Sequence, residues 1–157
     1  METELLNVRV AFTIRGECAS KANSRRLVKF GNRPASIKSA KALNYEATAR
    51  AQIPASAMLM LATPLRFTAT IYYASQRPDL DESVLLDVLQ AKFKGEGKNR
   101  MTIRRGVYEN DRLVREKHIF WGLDKQNPRA EILIETLDGM PGARIVVKRM
   151  STGVTNV

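Results

Sequence analysis

The chain has 157 residues, a length that fits one compact domain. Hydrophobic residues make up 44% of it and charged residues 27%, which excludes wholesale disorder because enough apolar side chains are present to form a core. Lysine and arginine number 26 against 16 acidic residues, so the formal charge is +10. A charge of this size on one domain attracts polyanions, and nucleic acid is the commonest such partner.

Cysteine usage and hydropathy restrict the kinds of site and the cellular location that we expect. Cys18 is the single cysteine and His118 the single histidine, which excludes an intramolecular disulfide and a zinc site built from several such residues. The most apolar segment, residues 53–67, is broken by Pro54 and Pro64 and falls short of the roughly 20 residues that a membrane span needs. The N-terminus METELLNVRV lacks the basic head and apolar stretch of a secretory signal. We therefore expect a soluble, cytoplasmic protein without a membrane partner.

The first predicted elements are a strand and a basic arm. Residues 8–14 alternate and are rich in β-forming side chains, which predicts a strand that ends at Gly16. In residues 21–38 every charged side chain is basic, and the pair Gly31-Asn32 lies between two short β-like runs, so we expect a hairpin there. Ser39 is expected to cap the next helix, which Pro54 stops.

The middle of the chain carries the strongest strand and the strongest helix signal. Residues 65–73 predict a strand in the centre of the sheet, with Phe67, Ala69 and Ile71 on one face. Residues 82–94 predict a helix that ends at Gly95. Its buried stripe comprises Val84, Leu85, Val88 and Leu89.

The last third is predicted to hold a loop and two strands. Residues 98–105 are polar and basic and predict an extended loop or flexible tongue. Residues 113–123 and 130–137 predict two antiparallel strands joined through residues 124–128. The elements together predict an α+β fold, with a mixed β-sheet and two main helices in one compact domain. This domain is expected to cover residues 1–140, and residues 141–157 to form a basic C-terminal tail.

Asp79-Leu80-Asp81 lies between the strongest predicted strand and the strongest predicted helix. In extended backbone, residues i and i+2 project to the same side, so the two carboxylates would converge at the strand end. Two like charges this close repel unless they share a cation, and Mg²⁺ takes oxygen ligands of this type. A structural interpretation stays open, in which Asp81 caps the helix and Asp79 is a turn residue.

A third carboxylate, Asp111, follows a loop and precedes a predicted strand, where a folded-back chain would bring it to the same edge. Three acidic groups in a chain of charge +10 are what a metal-dependent nuclease needs. Basic residues would hold the phosphodiester backbone, while the carboxylates hold metal against the scissile phosphate.

The ordered motifs also resemble a known family. DLDESVLLDVL followed by GVYENDRLV before a strand resembles the RusA family of Holliday-junction endonucleases. The early segments SKANSRRLV, GNRP and IKSAKALNYE are similar to the basic N-terminal region of that family. The resemblance covers roughly residues 20–137, and the ordered set of motifs carries it.

This resemblance implies a RusA-like homodimer with Mg²⁺ or Mn²⁺ at an acidic cluster in each subunit, which cuts two opposed strands of a four-way DNA junction by phosphodiester hydrolysis. Asp79 and Asp81 match the paired aspartates and Asp111 matches the second aspartate of a later pair, which makes these three the candidate catalytic and metal-binding residues. Asp87 resembles a helix aspartate, which either supports the cluster through hydrogen bonds or faces solvent. The candidate DNA-binding residues are Lys21, Arg25, Arg26, Lys29, Arg33, Lys98 and Arg100.

The chain departs from the family pattern at three positions. Glu82 stands where the family has asparagine, Leu85 where it has lysine, and Asn110 where it has the first aspartate of the later pair. A catalytically weak or inactive junction-binding protein of the same fold is therefore an alternative. A basic RNA-binding domain would explain the charge but not the acidic set.

Overall fold

The computed structural model describes residues 7–20 and 25–137, so the basic tail at 141–157 and the candidate DNA-binding Lys21 lie outside the described residues. Two α-helices and eight strands occur in this part of the chain. In order they are β1 (Arg9–Arg15), β2 (Arg25–Phe30), β3 (Arg33–Lys38), α1 (Ala40–Gln52), β4 (Leu65–Tyr73), α2 (Ser83–Leu89), β5 (Lys92–Lys94), β6 (Met101–Arg104), β7 (Val114–Leu123) and β8 (Arg129–Thr136). The predicted α+β fold, with a mixed sheet and two helices in one compact domain, is confirmed.

The main sheet has four strands in the order β1-β8-β4-β7. Strand β4 pairs in parallel with β7 and antiparallel with β8, so Ala69 lies between Ile119 and Ile132. Strand β1 pairs antiparallel with β8 on the far side. The predicted interior position of β4 is therefore confirmed.

The two faces of the sheet differ in burial. Phe67, Ala69 and Ile71 of β4 are fully buried, as predicted, and belong to one core with Ala49 of α1 and Leu85 of α2. The alternation along β4 places every second side chain on the opposite face, where it is only half-buried. Both helices thus cover the same face of the sheet.

Helix α1 begins and ends where the sequence predicts. The Ser39 hydroxyl accepts a hydrogen bond of 3.2 Å from the backbone N–H of Ala42, which caps the first turn. The helix ends at Gln52, directly before Ile53 and Pro54. Neither helix in the described part of the chain has the length and apolar character needed to cross a membrane.

The predicted helix at 82–94 is wrong in its second half, because α2 ends at Leu89 and residues 92–94 form β5. The Leu89 carbonyl accepts a bond of 2.8 Å from the N–H of Val107, and the N–H of Ala91 donates to the Tyr108 carbonyl at 2.9 Å. These bonds replace the next helical turn. The apolar stripe also stops at Leu89, since Lys92, one turn later, is exposed.

The tongue predicted at residues 98–105 contains a strand, which corrects the expectation of a loop. Strand β6 pairs antiparallel with β5, and Phe93 lies opposite Thr102. Gly95 makes the turn possible: its φ is +82°, and a Cβ there would lie 2.5 Å from the Asn99 carbonyl oxygen. The Arg100 guanidinium lies 3.7 Å from the centre of the Phe93 ring, a cation–π contact that ties the hairpin together.

Strands β7 and β8 lie where the sequence predicts strands, but they are not paired with each other as expected. Strand β4 lies between them. The N–H of Asp124, in the connection from β7 to β8, donates to the Tyr73 carbonyl at 2.9 Å, so this connection passes over the end of β4. Pairing on both edges of β4 satisfies its backbone while its apolar face stays on the core.

Gly106 provides a test of the contact that ends α2. A Cβ at this position would lie 2.4 Å from the backbone nitrogen of Ala91 and 2.6 Å from the Leu89 carbonyl oxygen, which are backbone atoms that cannot move independently. We expect Gly106→Ala to lower the free energy of unfolding by about 1–3 kcal/mol, measured by urea denaturation. As a control, Ser56→Ala at an exposed position should change it by less than about 0.5 kcal/mol. An unchanged stability of Gly106→Ala would contradict the close packing described here.

Candidate functional site

The Tyr73 side chain holds the segment that carries Asp79 and Asp81. Its hydroxyl donates to the Asp79 carbonyl at 3.1 Å and accepts from the N–H of Asp81 at 3.2 Å. Burial raises the pKa of this hydroxyl, so it keeps its proton and remains a donor. One buried side chain at the end of β4 thereby fixes the backbone of both predicted aspartates.

Strand β7 holds the same segment from the side. The indole Nε1–H of Trp121 donates to the Pro78 carbonyl at 3.2 Å, and the indole stacks on Tyr73 with 6.1 Å between ring centroids. Further back along β7, the Lys117 ammonium pairs with Glu82 at 3.0 Å. Residues 78–82 therefore run back along β7. The cation that pairs with Glu82, the residue after Asp81, is therefore Lys117 of β7.

The Asp81 carboxylate takes part in the start of α2. Its Oδ1 accepts a bond of 2.9 Å from the backbone N–H of Ser83, which satisfies one of the donors that a helix leaves open at its first turn. The residue at the cap position of α2 is Glu82, whose side chain makes no capping bond, so Asp81 holds the turn before the helix and is not its cap. Asp79 lies two residues earlier with an exposed side chain.

Asp111 is fixed beside the residue that follows α2. It opens a 3-10 turn at Asp111–Leu113, and its backbone N–H donates to the Gln90 side-chain carbonyl at 2.8 Å. The Asn110 side chain caps this turn by accepting from the N–H of Arg112 at 2.9 Å. Asn110, which stands where the RusA family has aspartate, therefore caps this turn.

Asp87 and Asp111 share the neighbourhood of one buried tyrosine. The Tyr108 hydroxyl donates to the Leu86 carbonyl at 2.7 Å. Burial, and then the negative charges of Asp111 and Asp87, raise the pKa of Tyr108 well above its ordinary value. Asp87 is half-buried, so it does not simply face solvent.

The predicted acidic residues do not form a complete binding site for a divalent cation in the described part of the chain. Within residues 7–20 and 25–137, no three carboxylate, imidazole or thiol side chains are grouped so that they could hold one metal ion. Carboxylate oxygens are suitable ligands for Mg²⁺ or Mn²⁺, but one oxygen of Asp81 is already bonded to Ser83. Among the predicted residues, Asp81 lies at the start of α2, Asp87 lies within it, and Asp111 is held by Gln90, the residue that follows this helix.

Sequence patterns did not point to Glu17, which follows β1. Burial is the main cause that raises the pKa of the Cys18 thiol to about 12; the nearby Tyr45 hydroxyl opposes this rise, and the charges of Asp81, Glu17 and Glu82 add to it. Glu17 and Asp81 also both raise the pKa of Tyr73. The Cys18 thiol donates to the Asp81 carbonyl at 3.9 Å, so the segment after β1 lies beside Asp81. The Cys18 thiol stays protonated at neutral pH and is not a nucleophile.

The basic arm forms the predicted hairpin. Strands β2 and β3 pair antiparallel through a two-residue turn at Gly31-Asn32, in which Gly31 has a φ of +62°, as a type II′ turn requires at its first central position. Four of the candidate DNA-binding side chains are exposed here and form no ion pair with any described residue. They are Arg25, Arg26, Lys29 and Arg33.

A buried carboxylate on α1 joins the bases of both basic hairpins. Glu46 is 5% exposed and pairs with Lys38 of β3 at 2.6 Å and with Arg50 at 3.6 Å. Arg104 of β6 lies in the same place: burial and the charge of Arg50 lower its pKa, and Glu46 opposes that change. The β2–β3 and β5–β6 hairpins thus begin at one region of the surface. The second hairpin carries the two remaining candidate cations, Lys98 and Arg100, both exposed.

Removing the charge of Glu46 tests this arrangement. We expect Glu46→Gln to lower the free energy of unfolding by about 1–3 kcal/mol, because Lys38, Arg50 and Arg104 would repel one another around a neutral amide. Urea denaturation measures the effect. The matched control is Glu116→Gln, whose carboxylate pairs with Arg66 at 3.0 Å on a solvated face and should contribute less than about 1 kcal/mol. Equal effects of the two substitutions would exclude a special role for the buried carboxylate.

Comparison with known proteins adds no relative. No protein-family model matches this chain, and no curated protein matches it.

Proposed function

We propose that the protein is a structure-selective endodeoxyribonuclease of the cytoplasm, which binds four-way DNA junctions and hydrolyses their phosphodiester bonds with Mg²⁺ or Mn²⁺. The observation that carries the proposal is the separation of charge in a chain of +10. Cations occupy two exposed hairpins, whereas Asp79, Asp81 and Asp87 lie before and within α2. Phosphate binding and phosphodiester chemistry need these two kinds of surface.

The hairpins account for substrate binding. The exposed cations of β2–β3 are not neutralised by any described acid, so they remain available to phosphates. The tongue adds Lys98 and Arg100 from the second hairpin. Because both hairpins begin near Glu46, we propose that they contact one DNA molecule from neighbouring positions.

The acidic residues account for cleavage, in the roles that the resemblance assigns to Asp79, Asp81 and Asp111. Tyr73 and Trp121 fix the backbone of residues 78–81 by three hydrogen bonds from rigid strands, which is the support that a catalytic group requires. Binding of a cation at Asp81 requires that its carboxylate share or release the Ser83 amide. Asp87 is proposed to support Asp111 near Tyr108.

The proposal includes a homodimer, which the resemblance implies. A four-way junction has approximate two-fold symmetry, so two subunits related by a two-fold axis could present one acidic site to each of two strands. Sedimentation at micromolar concentration measures this directly. A species with the mass of one chain, both with and without junction DNA, would exclude the dimer.

A junction-binding protein without cleavage is the second candidate, and specific observations favour it. One oxygen of Asp81 is bonded to the Ser83 amide, and the described side chains do not form a three-carboxylate site. Leu85, at the position of the family lysine, is fully buried in the core and supplies no cation. Metal-dependent cleavage separates the two candidates, since both bind junctions.

Substitution of the acidic residues tests cleavage. We expect Asp79→Asn, Asp81→Asn and Asp111→Asn each to lower the cleavage of labelled four-way junction in Mg²⁺ by about 100-fold or more. Junction affinity in EDTA should stay equal or rise, because a negative charge near phosphate is removed. Glu131→Gln, on the solvated face of β8, is the control and should leave cleavage unchanged.

The single tryptophan gives a readout of metal that does not depend on activity. Trp121 is bonded to Pro78, directly before Asp79, so paramagnetic Mn²⁺ bound there should quench its fluorescence, and Asp79→Asn should weaken the quenching. Junction binding without cleavage and without quenching would favour the second candidate. Binding of RNA with higher affinity than any DNA would contradict both.

The salt dependence of binding tests the hairpin cations. Arg25→Ala combined with Arg26→Ala should lower the slope of log affinity against log salt by about one to two units, because each phosphate contact contributes about 0.9. Fluorescence anisotropy with junction DNA at several salt concentrations measures the slope. Arg115→Ala combined with Lys125→Ala, two exposed cations on other elements, should leave it unchanged. The same slope in the hairpin variant and the wild type would remove the hairpin from the DNA-binding surface.

A further inference from the structure

The main sheet has one face, here called the open face, that no described element covers. Both helices lie on the face that carries Phe67 and Ala69, whereas Thr68 and Thr70 of β4 point to the other side and are half-buried. Two shallow grooves of about 370 and 400 Å³ lie on the open face and share Thr68. Together they form a trough that crosses all four strands.

The row of side chains along the middle of the trough carries no carboxylate. The strand register places Thr68 between Leu133 of β8 and His118 of β7, and it places Ala11 of β1 beside Leu133. These side chains present apolar and hydroxyl groups without a fixed negative charge. The trough therefore suits a flat, largely uncharged ligand group.

Two arginines beside this row are already neutralised. Arg66 pairs with Glu116 at 3.0 Å, and Arg129 pairs with Asp124 at 2.8 Å and with Glu131 at 3.1 Å. Arginine held by carboxylates attracts a phosphate less than a free arginine does. The middle of the open face is thus better suited to a base than to a phosphate.

One large apolar side chain is exposed at the edge of the open face. Phe120 of β7 is 55% exposed and lines the same groove as His118. The Nε2 of His118 lies 2.6 Å from Oε1 of Glu116, which fixes the imidazole. Residues i and i+2 of a strand are about 7 Å apart, and a flat ring in contact on both sides needs about 3.5 Å on each. The spacing of His118 and Phe120 therefore leaves room for one aromatic ring.

The other aromatic ring of this region already has a partner. The Arg129 guanidinium lies 4.0 Å from the centroid of the Tyr72 ring. A Cβ on Gly122 would lie 2.6 Å from Cδ1 of Tyr72, so the absence of a side chain at Gly122 makes room for this ring on β7. Phe120 forms no ring stack or cation–π contact with another described residue. Its ring is therefore the one that remains open to a ligand.

The chemistry of the open face favours an unpaired base over a second copy of the chain. A stable interface between two copies needs a contiguous apolar core, but Phe120 is the single large apolar side chain exposed on this face in the described part of the chain. A chain of charge +10 attracts nucleic acid. Open four-stranded sheets with exposed aromatic side chains stack two or three bases of a single strand.

We propose that the open face binds a single strand of DNA, with one unpaired base stacked on Phe120 beside His118. The strand would cross the trough toward β1, a distance of about 14 Å for four strands. Arg9 and Arg15 of β1 are exposed and form no ion pair with any described residue, so they are available to its phosphates. The inference rests on the proposed DNA binding, but this site is separate from the hairpins and from the acidic residues.

The test uses the full chain in EDTA and measures fluorescence anisotropy with a short labelled single strand and with a duplex of the same sequence. Phe120→Ala should weaken binding of the single strand about tenfold and binding of the duplex less than about twofold. The salt slope should stay unchanged, because no charge is removed. Leu123→Ala, an exposed leucine of β7 on the opposite face, is the matched control and should bind both as the wild type does.

Two further substitutions separate stacking from simple apolar contact. Phe120→Trp keeps a ring that can stack and should retain single-strand affinity, whereas Phe120→Leu should lose as much as Phe120→Ala. On irradiation, a 5-iodouracil base in the single strand should cross-link to the peptide that contains Phe120. A cross-link confined to the β2–β3 or β5–β6 hairpin would overturn the proposal.

The remaining outcomes separate this site from its alternatives. Unchanged single-strand affinity of Phe120→Ala, or equal losses on single strand and duplex, would overturn the base site and leave the proposed nuclease function standing. A lower sedimentation mass of Phe120→Ala with full single-strand affinity would assign the open face to a second copy and would also overturn it. Tighter binding of an RNA strand that depends on Phe120 would overturn the assignment to DNA. Failure of the wild type to bind single strand, duplex or junction would refute the proposed function itself.

Discussion

The pairing of β4 on both edges is the constraint on which the rest of the structure depends. Its backbone bonds to β7 and β8, and alternate side chains from Leu65 to Tyr73 are buried under α1 and α2. Strands β7 and β8 therefore cannot pair with each other, although only a short connection separates them. The last residue of β4, Tyr73, then holds the acidic segment through its hydroxyl. The position of β4 therefore determines both the packing of the core and the position of the candidate site.

The fold places the exposed cations and the candidate carboxylates on different elements. Cations of the two hairpins are exposed, and the buried carboxylate of Glu46 pairs with Lys38 at the base of the first hairpin. The buried Tyr73 holds the backbone of Asp79 and Asp81 before α2, and Lys117 of β7 pairs with Glu82. The DNA-binding and cleavage parts of the proposed function are therefore carried by different elements. They can be separated by substitution.

The sequence predicts an element correctly where the element depends only on neighbouring residues. Ser39 and Pro54 delimit α1, the Gly31-Asn32 pair forms the hairpin turn, and alternation along residues 65–73 identifies the buried face of β4. The predicted end of α2 is wrong because nothing in residues 90–94 themselves disfavours a helix. Contacts with Val107 and Tyr108, far along the chain, stop the helix at Leu89. The same contacts explain why β6 forms where a loop was expected.

The candidate site shows the same limit. The sequence by itself determined the basic hairpin, the Ser39 cap and the strand segments, because these depend on neighbouring residues and on periodicity. Only the tertiary structure decided that β4 separates β7 from β8, that Cys18 contacts the Asp81 carbonyl, and that Asp111 is held by Gln90. The physical reason is that strand order and the grouping of charges follow from burial and backbone pairing between distant segments, whose free energies depend on the whole core.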